Sequence, residues 1–189
     1  GIQLKELKIM QTKHKFLLSF YVIIFCSLVI IATFPDELRP TERTIELNSV
    51  VSANKILLFN QISDVEKYPM VLPDTFISVD ILDKTNNSIK TLETAKEMGI
   101  EQTLQIQHDL IPTDSHEITI LNGDAKGTKI IIWFYEIDEN TTRISAKLDL
   151  HLEGLLIPFG LLPESNFQHA FDTILDRFVE YVNINYDLQ

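Results

Sequence analysis

The chain has one cysteine, Cys26, in 189 residues. That excludes an internal disulfide and a metal cluster built from cysteines. Cys26 lies inside an apolar run, where a thiol acts as a small buried hydrophobe. Positive charge is also scarce: 16 Lys and Arg stand against 27 Asp and Glu, a formal net charge of −11. Phosphate backbones are held by clustered cations, so nucleic acid is excluded as a partner. The five His occur in no H-x-x-x-H or H-E-x-x-H spacing and do not cluster with carboxylates, so neither a metal site nor a cofactor is indicated. The middle of the chain also lacks the strand–helix alternation of a doubly wound α/β fold.

Apolar residues, by contrast, are concentrated. Phe16 to Phe34 is a run of 19 residues without a charge. As a helix it would be about 28 Å long at ~1.5 Å per residue, close to the hydrocarbon thickness of a bilayer. Lys5, Lys8, Lys13 and Lys15 precede it against only Glu6, and Asp36 and Glu37 follow. This asymmetry predicts a single-pass anchor in the cell membrane, with a basic cytoplasmic N-terminus over 1–15, the span over 16–34 and the rest of the chain outside. A cleaved signal peptide is the competing reading. Its apolar region is usually only about 7–15 residues long, and Ser27 and Ala32-Thr33 are the only weak cleavage candidates. A buried core helix fits poorly, because the run is apolar all round. Residues 35–43, with Pro35 and Pro40 among charges, read as a short stiff linker. Removing the four Lys and one Glu before the run leaves 12 basic against 26 acidic residues, a formal −14. The anchor rather than electrostatics must therefore hold the domain at an anionic surface.

Residues 44–189 read as one domain. Thr44–Val51 alternates as a strand, and Ser52 or Asn54 can cap a helix over Lys55–Asn60. Ser63 or Asp64, the latter placed as a cap, starts a short turn that Pro69 stops, and Met70-Val71-Leu72 reads as irregular. Strands follow over Phe76–Leu82, Ser88–Lys96, Glu101–Ile111, Glu117–Leu121, Thr128–Ile137 and Thr142–Leu152, separated by turn-forming residues. By propensity alone Thr91–Lys96 would serve equally as helix. Glu164 to about Asn183 closes the chain as a helix with Phe167, Phe171, Ile174, Leu175, Phe178 and Val182 on one side. Short turns between consecutive strands predict an antiparallel meander.

Ile45-Glu46-Leu47-Asn48-Ser49-Val50-Val51-Ser52-Ala53, followed by Ile62-Ser63-Asp64-Val65-Glu66-Lys67-Tyr68-Pro69, resembles the opening of the START-like helix-grip superfamily. That superfamily includes polyketide cyclase/dehydrase and lipid-transport proteins and coenzyme Q-binding proteins. The resemblance extends by element order from Thr44 to about Val182. It implies an α+β fold in which a curved antiparallel sheet of about seven strands wraps a long C-terminal helix, with two short helices after the first strand. It also implies an apolar cavity between sheet and helix, and no common catalytic set, so no catalytic residue is assigned.

His108 shares a strand face with Leu104, Ile106 and Leu110, where it would orient a ligand, act as an acid-base group, or be a satisfied core or rim histidine. Tyr68, Trp133 and Tyr135 are candidate lining groups with a polar end, and Phe167, Phe171, Ile174 and Phe178 candidate cavity wall. His116 reads as solvated beside a turn, and His169 as a helix-boundary residue. The loop Glu153–Pro163 holds Leu155, Leu156, Ile157, Phe159, Leu161 and Leu162, which would plug a cavity mouth, touch the bilayer or meet another protein. Asn86 and Asn140 sit in glycosylation sequons at predicted turns. Three functions fit. The first is a membrane-anchored domain binding or transferring a hydrophobic small molecule or lipid. The second is an accessory subunit using the fold to contact other membrane subunits, and the third, behind both, is a cyclase- or hydrolase-like enzyme.

Overall fold

A computed structural model describes residues 42–97 and 100–186. The predicted span over 16–34 and the basic segment before it lie outside the described residues. Among the described residues no helix is long and apolar enough to cross a membrane.

Strand β1 (Glu42–Val51) leads into helix α1 (Lys55–Ser63). Of the two candidate caps, Asn54 is the one used: its side-chain oxygen accepts from the N–H of Ile56 at 2.9 Å and of Leu57 at 3.2 Å. A 3₁₀ turn (Val65–Lys67) then meets helix α2 (Tyr68–Val71), which corrects the reading of this stretch as a stop followed by irregular chain. Pro69 lies in the first turn of α2, where a missing N–H costs nothing and a fixed φ suits the helix. Asp64 makes no side-chain cap and instead pairs with Lys67 at 2.9 Å.

Six strands follow: β2 (Phe76–Lys84), β3 (Ser88–Glu97), β4 (Ile100–Ile111), β5 (Ser115–Ile120), β6 (Lys129–Asp138) and β7 (Thr141–His151). A 3₁₀ turn (Gly123–Ala125) separates β5 from β6, and a longer 3₁₀ segment (Gly154–Leu161) joins β7 to helix α3 (Glu164–Tyr186). The strands form one antiparallel sheet in the order β1-β7-β6-β5-β4-β3-β2, so the meander closes by placing β1 beside β7. The Thr91–Lys96 stretch is strand, because its residues gain cross-strand partners on both sides, in β2 and β4.

Helix α3 grips the inner face with Leu175, Phe178 and Val182, each 2% exposed. Gln168 fixes it to the open edge of β1: its Nε2 donates to Asn48 O at 3.0 Å, and its Oε1 accepts from Asn48 N–H at 3.3 Å. This covers one of the two sheet edges with a helix side chain. Two apolar cores result. One gathers α1, α2 and the C-terminal half of α3 around Phe134 and Ile144. The other gathers Ile45, Leu47, Leu150 and Leu152 beneath Leu156, Phe159 and Phe167.

Candidate functional site

Between the two cores the sheet and α3 do not meet, and a cavity of about 260 Å³ remains. Pleating decides its floor. Leu47, Ile118, Ile130, Ile132, Ala146 and Leu148 are cross-strand partners or alternate residues on one face of β1, β5, β6 and β7, so all point inward. The roof is Phe167, Ala170, Phe171, Ile174, Leu175 and Phe178, the apolar side of α3. Ile62, Tyr68, Leu72 and Phe76 form the side wall from α1, α2 and β2. Ala170 and Ile174 are exposed, and they mark the rim of the opening.

Fifteen of these sixteen side chains carry no polar atom, and the sixteenth, Tyr68, has its hydroxyl already committed. Tyr68 Oη donates to the carbonyl of Ile62 at 2.8 Å. Burial holds this phenol protonated well above its ordinary range, and the charges of Glu93 and Asp64 push it further in the same direction. Its ring packs against Phe76 and Phe178. The wall therefore offers a ligand apolar contact and no free hydrogen-bonding side chain.

Of the sequence candidates, Tyr68, Phe167, Phe171, Ile174 and Phe178 come together in this wall. Trp133 and Tyr135 do not. They are odd-numbered residues of β6, whose even-numbered Ile130, Ile132 and Phe134 face inward, so both lie in a groove on the outer face with Glu46, Asn48, Ser145 and Lys147. There Arg143 covers the Tyr135 ring at 4.9 Å. The segment 154–162 lines no part of the cavity. Leu156 and Phe159 close the adjoining core, and Leu155 and Leu161 are exposed. Asn86 and Asn140 are exposed in the β2–β3 and β6–β7 turns, and His169 is exposed on α3.

His108 faces inward but sits behind the cavity wall, its ring edge-on to Tyr68 at 6.5 Å. It belongs to a buried polar chain that the sequence did not reveal. Its Nε2 is 2.8 Å from Glu93 Oε1, and its Nδ1 is 2.9 Å from Nε2 of His116. Thr91 Oγ1 donates to the same Glu93 oxygen at 2.7 Å. All four residues are 2% exposed or less. The expectation of a solvated His116 is thus corrected: β5 begins at Ser115 rather than Glu117, and His116 alternates with Ile118 and Ile120 on the inner face. That i, i+2 pattern was the available signal. Glu93 gave none, since a charge on an inward strand position contradicts the pattern by which strands are read.

Burial, with His108 beside it, lowers the His116 pKa to about 3, so this imidazole is neutral at ordinary pH. Its Nδ1 has no hydrogen-bond partner among the described residues. With His116 neutral, its Nε2–H can donate to His108 Nδ1, which leaves His116 Nδ1 a bare lone pair. The chain is linear and ends at Glu93, and no member of it lines the cavity.

No family model matches the sequence, and neither does any curated protein. Solved structures match across the domain. The Zhui aromatase/cyclase from Streptomyces sp. R1128 aligns with a TM-score of 0.56 at 17% identity, covering 76% of this chain and 90% of its own. Norcoclaurine synthase from Thalictrum flavum aligns at 0.55 and 13% identity, over 74% of this chain and 87% of its own. A START superfamily protein from Mycobacterium smegmatis aligns at 0.53 and 14% identity, over 77% of this chain and 97% of its own. The fold is START-like, as the opening motif and element order imply.

Proposed function

We propose that this chain is a membrane-tethered START-like domain that binds or transfers a hydrophobic small molecule or lipid in the cavity beneath α3. One observation carries the reading: the wall is continuous apolar surface whose single hydroxyl is spent on Ile62 O. Burying a ligand's polar group against it would cost roughly 1–3 kcal/mol per unmatched hydrogen bond. The buried part of the ligand is therefore hydrocarbon, with any polar end left at the rim beside Ala170 and Ile174. The uncharged run over 16–34 supports a tether, with the N-terminus cytoplasmic and the domain outside.

Structural neighbours include an aromatase/cyclase and a norcoclaurine synthase, which makes catalysis the second reading. Among the described residues its candidate groups are Glu93, His108 and His116, none of which lines the cavity, with Tyr68 packed edge-on to His108 at the wall, and this favours binding over chemistry.

The test is mass spectrometry of small molecules released from natively purified full-length protein, compared with Ala170→Trp. Position 170 is exposed at the rim, so an indole there obstructs the opening without disturbing the core. Recovery of a hydrocarbon-rich compound from the parent and its loss from the variant is expected. Equal recovery from both, or none from the parent, overturns the reading.

A further inference from the structure

The cavity makes no use of the six large apolar side chains between Leu155 and Leu162. Four of them form an inner and an outer pair. Leu156 and Phe159 pack onto the core under α3, whereas Leu155 is 72% and Leu161 55% exposed. No charged residue lies between Glu153 and Glu164.

The segment is braced at both ends. At its start, Asp124 Oδ2 accepts from Leu155 N–H at 2.9 Å and Asp124 O accepts from Glu153 N–H at 2.7 Å. At its end, the Arg43 guanidinium donates to the carbonyls of Gly160, at 3.2 Å, and Leu162, while lying 5.6 Å over the Phe167 ring. Carbonyls at the end of the segment thus have partners, which a backbone entering an apolar medium requires.

A second observation is covalent. Arg43 is the second residue of β1, so the segment lies at the end of the sheet where the chain enters the domain. The uncharged run ends at Phe34, and residues 35–41 alone separate it from β1. Fully extended, that link reaches less than about 30 Å. A bilayer spanned by 16–34 keeps β1's first residues, and the segment bonded to them, within that distance of its surface.

We infer that residues 154–162 form a membrane-docking surface, with Leu155 and Leu161 entering the interfacial layer of the bilayer that anchors the chain. The inference rests on the proposed span at 16–34. Apolar burial drives the contact, since Glu153 and Glu164 flank it and the chain beyond its basic N-terminus is acidic; zwitterionic lipid is preferred and added salt does not weaken it. Ala170 and Ile174 lie 6 and 10 residues beyond Glu164, about 9 and 15 Å along α3 at ~1.5 Å per residue. Docking at the start of α3 therefore brings the cavity opening near the lipid, so a hydrophobic ligand crosses little water on its way in.

The experiment uses the full chain in a Cys26→Ser background, with an environment-sensitive fluorophore on Leu155→Cys, Leu161→Cys or Asn140→Cys. Asn140 lies in the turn at the opposite end of the β6–β7 hairpin from this segment. In phosphatidylcholine vesicles carrying brominated acyl chains, labels at 155 and 161 are expected to be quenched several-fold more than the label at 140. Adding Leu155→Glu is expected to reduce quenching at 161. Equal quenching at all three sites overturns docking, as does protection of 155 and 161 only when another protein is cross-linked there. Alkaline carbonate extraction reads the span separately. Protein retained in the membrane with 155 and 161 unquenched refutes docking and leaves the span. Protein extracted by carbonate, yet quenched at 155 and 161 when vesicles are added, refutes the span and leaves docking.

Discussion

Nδ1 of His108 lies 2.9 Å from Nε2 of His116, joining two fully buried imidazoles in series to the carboxylate of Glu93. All three side chains are 2% exposed or less. This arrangement has consequences for stability that do not depend on any ligand.

The first concerns pH. Burial depresses the His116 pKa from 6.5 to about 3. Between those values the unfolded chain binds a proton that the folded chain does not, so stability falls as pH drops below about 6.5. From pH 7 to pH 5 the loss is about 2 kcal/mol, and a folded pKa one unit higher leaves it almost unchanged. Urea unfolding at the two pH values, compared with His116→Gln, checks this. The glutamine can still bond His108 but does not titrate, so the variant is expected to lose about 2 kcal/mol less over the same interval.

Glu93 is the acceptor on which the chain ends. Glu93→Ala leaves His108 Nε2 and Thr91 Oγ1 without their short partner in a buried site, an expected cost of about 1–3 kcal/mol. Glu93→Gln keeps an acceptor oxygen and is expected to cost less than half as much. Denaturant midpoints of the two variants decide it; equal losses would mean that the carboxylate's charge, and not its hydrogen bonds, matters.

Ala146 is 2% exposed and forms part of the cavity floor. In a filled core, Ala146→Leu would overpack by about 1–3 kcal/mol. Here the added carbons enter vacant volume, so thermal unfolding of ligand-free protein is expected to move little or rise. Binding of an apolar fluorescent probe should fall sharply.

Gly154 has φ +52, and a Cβ added there would meet Asp124 Oδ2 at 2.4 Å. Gly154→Ala therefore both strains the backbone and displaces the carboxylate that bonds Leu155 N–H. A loss above about 1 kcal/mol is expected, with faster proteolysis confined to 153–162. A stability unchanged within 0.5 kcal/mol, the usual range for surface positions, would show that this brace is dispensable.

Strand alternation and the three- and four-residue spacing of α3 were legible because each element buries one face, and burial imprints a period on the residues that supply it. Phe167, Phe171, Ile174 and Phe178 of the cavity wall follow from the α3 period. Tyr68, on α2, was a candidate instead for its large ring with a polar end. Trp133 and Tyr135 were misassigned to the cavity because a central strand apolar on both faces carries no parity signal, as in Ile130-Ile131-Ile132-Trp133. Only register with β7, pairing Trp133 with Ser145 and Phe134 with Ile144, shows which face is inner.

The polar chain was hidden for a different reason. Glu93, His108 and His116 come from three strands, successive members 15 and 8 positions apart. A hydrogen bond between such residues exists only once β3, β4 and β5 are paired in register. Local pattern thus sufficed for most of the strands, the terminal helix and the apolar stripe it presents, because hydrophobic burial is a property each segment expresses alone. The empty volume, the closed Glu93–His108–His116 chain and the bracing of 154–162 by Arg43 and Asp124 arise from contacts between segments distant in sequence, and those are settled only when the chain folds.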